Sequence, residues 1–82
     1  MAELEEKLKR IVIDTAMLKA VPADIGDDDD LMTKWNIGSP EIFGIVIGLE
    51  EVFGIHLGDE EFELKKFRTV KTMADFIRPK LE

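Results

Sequence analysis

The 82-residue chain has no cysteine. A disulfide framework and a thiolate zinc site are therefore excluded, and the redox compartment leaves no mark on the composition. Long apolar runs are missing too: no stretch approaches the roughly 18 residues that span a bilayer. The opening MAELEEKLKR mixes acids and bases where a signal peptide carries an apolar core. A cytoplasmic chain that is not transmembrane is the expectation. Histidine occurs once, as His56, with no cysteine and no evident catalytic carboxylate beside it in sequence. It reads as a surface or loop residue, and no catalytic constellation forms around it.

Bases are scarce in the middle of the chain. Residues 20–64 hold twelve acids against the single base Lys34, a segment charge near −11 within a total of −7. Such a field repels phosphate backbones and attracts basic protein surfaces, which argues against nucleic acid as a partner and for transient docking to positive patches. Solubility alone is the plainer reason for the same acids. The run Asp27 to Asp30 lacks the alternating ligands, central glycine and terminal glutamate of a calcium loop, so no metal ligand set is assigned.

The length allows one domain with a core worth a few kcal/mol, expected to be a monomer. Residues 1–80 are read as that domain, and 81–82, after Pro79, as the remnant of an expression tag. Over residues 3–19, Leu4, Leu8, Ile11, Val12, Thr15 and Leu18 recur at three-to-four spacing, the stripe of an amphipathic helix. Pro22 opposes continuation. A long connection over about 21–38 follows, rich in aspartate and glycine but studded with Ile25, Leu31, Trp35 and Ile37. Loops of this length in compact domains are functional or disordered, and the apolar residues favour a loop clipped onto a core. The neighbouring aspartates repel one another and discourage regular structure, although short helical turns fit within the loop.

Ser39-Pro40-Glu41 reads as a helix start, with serine as the cap, proline at the first helical position and glutamate in the first turn. The second helix then runs to Gly54, with apolar residues at nearly every position. Gly44 and Gly48 share a face that lets a neighbour approach closely. Ile55-His56-Leu57 reads as an extended link. Asp59 is placed as the cap of a short third helix over 60–66 with Phe62 inward, and Thr69 as the cap of a last helix that Pro79 ends. The fold expected is all-α, a small four-helix bundle with a long loop between helices one and two and a short third helix. Ser39 lies where the loop meets a helix N-terminus, so a phosphodiester there would have its charge near free amides and the positive end of the helix dipole. An ordinary serine cap gives the same pattern, and the residues alone leave both readings open.

The ordered set of elements over residues 4–77 resembles an acyl carrier protein of the phosphopantetheine-binding family. Ile25, Leu31 and Trp35 match its loop anchors, and Asn36-Ile37-Gly38-Ser39-Pro40 occupies its Gly-x-Asp-Ser-Leu stretch. Phe43, Val46, Ile47, Leu49, Glu50, Glu51 and Phe53 resemble the pattern of its second helix. Ile55, Leu57, Asp59 and Glu60, then Thr69-Val70 and Asp75-Phe76-Ile77, resemble its later elements. The resemblance implies a protein that is not an enzyme and carries 4'-phosphopantetheine on Ser39, with acyl groups held as thioesters for fatty acid, lipid or related biosynthesis. It implies as partners a phosphopantetheinyl transferase and an acyl-carrier synthetase or ligase, ketosynthase or acyltransferase with a basic docking surface. Val46, Ile47, Phe62 and Met73 are its candidates for sheltering an acyl chain, with core packing as the alternative. The chain departs from the pattern at Gly38, where the family has an aspartate that contributes to recognition by the transferase, and at Pro40, where it has leucine. The alternative function is an unmodified interaction domain on the same fold.

Overall fold

The computed structural model describes residues 3–58 and 63–81. Among the described residues there are four α-helices, α1 (Glu3–Ala16), α2 (Leu31–Lys34), α3 (Ser39–Phe53) and α4 (Val70–Leu81), with 3-10 turns at Pro22–Asp24 and Leu64–Phe67. No strand occurs among the described residues. The all-α bundle read from the sequence is the fold observed. A 3-10 turn occupies the described part of the region read as a short third helix, while the Asp59 cap and the inward Phe62 lie outside the described residues.

Helix α1 buries Leu8, Ile11 and Val12, one stripe of its surface. It ends at Ala16, short of residue 19, because Met17 turns left-handed (φ 54°) and the Leu18 N–H closes back on the Ile13 carbonyl at 3.0 Å. That closing bond is the Schellman arrangement, here without the usual glycine. Helix α3 stops as its sequence implies, at Gly54 with φ 64°.

α1 runs antiparallel to α3, and the two glycines set their separation. A Cβ on Gly44 would sit 2.7 Å from Thr15 Cγ2, and one on Gly48 would sit 3.0 Å from Ile11 Cγ2. α4 closes the other side of α1, where Arg78 reaches Glu5 at 2.8 Å. Thr69 caps α4 as expected: Thr72 N–H donates to its hydroxyl at 3.0 Å, and Thr69 N–H donates to the Thr72 hydroxyl at 3.3 Å. Pro79 does not end α4, which carries on to Leu81. The proline sits so near the end of the helix that its missing N–H costs little of the ladder.

The core joins Ile42, Ile45 and Leu49 of α3 to Leu8 and Val12 of α1, Met73 and Ile77 of α4, and Phe67. Three loop residues, Ile25, Leu31 and Ile37, are buried in the same cluster, and Trp35 packs against it half-buried. The long connection is thus clipped to the core at the positions its apolar residues predict.

Candidate functional site around Ser39

The loop aspartates do not repel one another into disorder. Asp27 faces Lys9 of α1 at 2.8 Å, Asp29 faces Lys34 at 3.2 Å, and Asp30 faces Arg68 at 2.5 Å. Asp29 also accepts the Gly26 N–H at 2.8 Å and lies 3.4 Å from Trp35 Nε1. The Gly26 amide first, and then Lys34, hold its carboxyl below the ordinary aspartate range. Asp30 is the N-cap of α2, its Oδ1 accepting the Met32 and Thr33 amides at 3.0 and 3.3 Å. The Arg68 guanidinium and then these amides lower its pKa in the same direction. The charge run that argued against regular structure is what starts α2, because Asp30 caps it and two of the run's three bases, Lys9 and Arg68, come from distant parts of the chain.

From α2 the chain turns back on itself. The Leu31 carbonyl accepts the Trp35 and Ile37 amides at 3.2 and 3.1 Å, with Asn36 left-handed at φ 55° between them. Asparagine tolerates that conformation better than most residues. Ile37 then enters the core, and Gly38 follows as the N-cap of α3. Ser39 is accordingly the first helical residue and not the cap, and Pro40 is the second. The reason is Glu41, whose Oε1 accepts the Gly38 N–H at 2.8 Å while Ile42 N–H reaches the Gly38 carbonyl at 3.1 Å. The glutamate performs its half of a capping box, and glycine needs no side chain to take part.

Ser39 is exposed, and its hydroxyl makes no hydrogen bond to another described residue. Pro40 supplies no N–H and the Gly38 amide is taken by Glu41, so the first-turn amides left to meet an anion are those of Ser39 and Glu41. The Glu41 carboxylate also offsets part of the helix's positive end. A phosphodiester on Ser39 Oγ fits sterically, standing in solvent at the tip of the bundle with two amides nearby. Its charge rests on water more than the bare motif implied.

Beyond the serine, α3 turns Phe43, Ile47 and Val52 outward, each more than half exposed. Of the residues read as sheltering an acyl chain, Ile47 is more than half exposed, Met73 is fully buried in the core, and Val46 is half-buried. Phe62 lies outside the described residues. Among the described members of that set, Val46 packs against the core while keeping part of its surface exposed. His56 is about nine-tenths exposed, its Nδ1 3.4 Å from Glu50, which also accepts the Leu57 N–H at 2.9 Å. A role at the surface is what its sequence position implied. No described helix is long and apolar enough to cross a membrane. No group of metal-ligating side chains gathers among the described residues.

No protein-family model matches the chain, and no curated protein matches it. Its fold matches a solved structure, the solution NMR structure of a holo acyl carrier protein from Nitrosomonas europaea, with a TM-score of 0.81 over 96% of each chain at 24% identity. The chain has the acyl carrier fold.

Proposed function

We propose that this chain is an acyl carrier whose Ser39 oxygen bears 4'-phosphopantetheine. The observation that carries the reading is the exposed, unbonded hydroxyl at the first residue of α3, delivered by an anchored loop in a fold shared with a holo acyl carrier protein. When bound, the arm supplies a terminal thiol that holds acyl groups as thioesters, so the lack of cysteine in the chain is no obstacle. The chain's own part is to present Ser39 Oγ as an acceptor. With coenzyme A as donor, that oxygen gains a bond to phosphorus and loses its proton, and the donor's pyrophosphate link breaks to release adenosine 3',5'-bisphosphate. A transferase supplies the catalysis, and the carrier itself catalyses nothing. The partners in this reading are that transferase and the acyl-loading and acyl-accepting enzymes of fatty acid or lipid synthesis in the cytoplasm.

The test is intact mass with peptide mapping after co-expression with phosphopantetheinyl transferases. An increment of phosphopantetheine size on the peptide containing Ser39 supports the proposal. A folded chain that stays unmodified with the cognate transferases refutes it. The second reading, an unmodified interaction domain, draws on Gly38 at the family's aspartate position and on the outward Phe43 and Ile47. It predicts that Ser39→Ala leaves partner binding intact.

A further inference from the structure

Between the core and Ser39, the loop takes its bearing from Arg68, a residue that falls on none of the positions carrying the sequence resemblance. Arg68 precedes α4 and grips the start of α2 twice. Its Nη2 bonds Asp30 Oδ2 at 2.5 Å, and its backbone carbonyl accepts the Leu31 N–H at 2.7 Å. The other Asp30 oxygen caps α2, so guanidinium, carboxylate and first-turn amides form one continuous set of bonds. At the far side of the same turn, the Leu31 carbonyl holds the Trp35 and Ile37 amides. Ser39 is two residues beyond Ile37.

We propose that Arg68 is a positioning residue for Ser39: by fixing Asp30 and with it α2, it sets the place and angle at which the loop offers the hydroxyl to the modifying transferase. The inference rests on the carrier reading. Other anchors keep the loop attached when Arg68 is changed, which separates orientation from folding. Leu31, Ile25 and Ile37 are buried, the Lys71 N–H donates to the Asp27 carbonyl at 2.9 Å, and Lys9 pairs with Asp27. Without Arg68, Asp30 is left beside Asp27, Asp28 and Asp29 with no base of its own, since Lys9 and Lys34 are engaged by Asp27 and Asp29. The α2 cap then keeps its amide bonds and the Arg68 carbonyl keeps the Leu31 N–H, but the ionic tie from Asp30 to the start of α4 is lost.

The experiment compares the unmodified wild-type chain with Arg68→Gln, Arg68→Lys, Asp30→Asn and the double variant Arg68→Gln/Asp30→Asn, using a phosphopantetheinyl transferase and coenzyme A. Asparagine still caps a helix, so Asp30→Asn removes the ion pair and leaves the cap. The expected result is a KM for the chain raised about two- to fivefold in Arg68→Gln and Asp30→Asn at unchanged kcat, the factor that one partly exposed ion pair supports. The double variant is no worse than either single change, as residues acting through one contact require. Arg68→Lys recovers part of the loss. Amide hydrogen exchange on the unmodified chain, which needs no transferase, quickens at Trp35 and Ile37 but not in α1. A wild-type chain that is never modified overturns the carrier reading and this inference with it. Modification of wild type, Arg68→Gln and Asp30→Asn with equal KM overturns the inference alone. Uniformly faster exchange throughout both single variants makes Arg68 a residue of the fold as a whole and overturns it as well.

Discussion

Gly44→Ala sets two known effects against each other at one atom. In a helix interior alanine is favoured over glycine by about 1 kcal/mol, so on propensity alone the substitution stabilises α3. The added methyl would lie 2.7 Å from Thr15 Cγ2, where carbon pairs prefer about 3.5–4.0 Å. Relief requires α1 to move off α3 or Thr15 to leave its rotamer, and overpacking of this kind costs about 1–3 kcal/mol. The expected net effect is a loss of about 0–2 kcal/mol. Removing the opposing methyl isolates the steric part: in a Thr15→Ser background the clash partner is gone, and Gly44→Ala should stabilise by about 1 kcal/mol. Urea unfolding of the four chains, followed by far-ultraviolet circular dichroism, measures both steps. The reasoning fails if Gly44→Ala changes stability by the same amount, with the same sign, in both backgrounds.

Ser39→Ala should abolish the phosphopantetheine mass increment yet leave unfolding within about 0.5 kcal/mol of wild type, because the hydroxyl is exposed and unbonded; a larger loss of stability would give Ser39 a structural role. Gly38→Asp restores the carboxylate of the family pattern, with a Cβ 3.2 Å from Glu41 Oε1, so the flexible glutamate must yield. It should speed modification by a general transferase, and unchanged rates would mean that the partner enzyme does not read this position. Acid should loosen the loop before the bundle, because Asp29 and Asp30 have folded pKa values below those of the unfolded chain. Their contribution is fully present above about pH 4 and is lost as pH falls through the lowered folded values. Trp35, whose Nε1–H donates to Asp29, reports this by fluorescence, and emission that changes only with global unfolding would refute it.

Where signals were local, the sequence was a sound guide. The apolar period of α1, the start of α3 near Ser39-Pro40-Glu41, its stop at Gly54 and the Thr69 cap all follow from neighbours in the chain. That Gly44 and Gly48 admit a close neighbour was legible because glycines four apart share a helix face, although which element fills the place, α1, was not. The loop was harder to read. Asp30 caps α2 and is steadied by Arg68, 38 residues away, and Asp27 meets Lys9 on α1, pairings that no local window contains. At Ser39 the usable signal was the spacing of Gly38 and Glu41, which is that of a capping pair and moves the cap back one residue. The preference of serine for caps hid it. The apolar residues at nearly every position of α3 suit a segment buried on more than one side, and among the described residues α1 and the Leu64–Phe67 turn pack against it while Phe43, Ile47 and Val52 stay outward.

The same geometry changes what the acidic composition means for a partner. Asp27, Asp29 and Asp30 face Lys9, Lys34 and Arg68, Glu50 accepts the Leu57 amide, and Glu41 accepts the Gly38 amide. At close range much of the acidic segment is therefore turned toward the chain itself. At long range the net charge of −7 persists, so a basic surface is still drawn in, and that attraction weakens with salt. Two copies of the chain repel each other for the same reason, which disfavours self-association through α3. On contact, a partner on the outward face of α3 meets Phe43 and Ile47 with Glu51 beside them, while Val52 lies on the stripe of Gly44 and Gly48 that faces α1. Apolar burial is insensitive to salt in the range where ion pairs fade. For a basic partner of such a surface, the charges would govern how often it arrives, and the exposed Phe43 and Ile47 of α3 how long it stays.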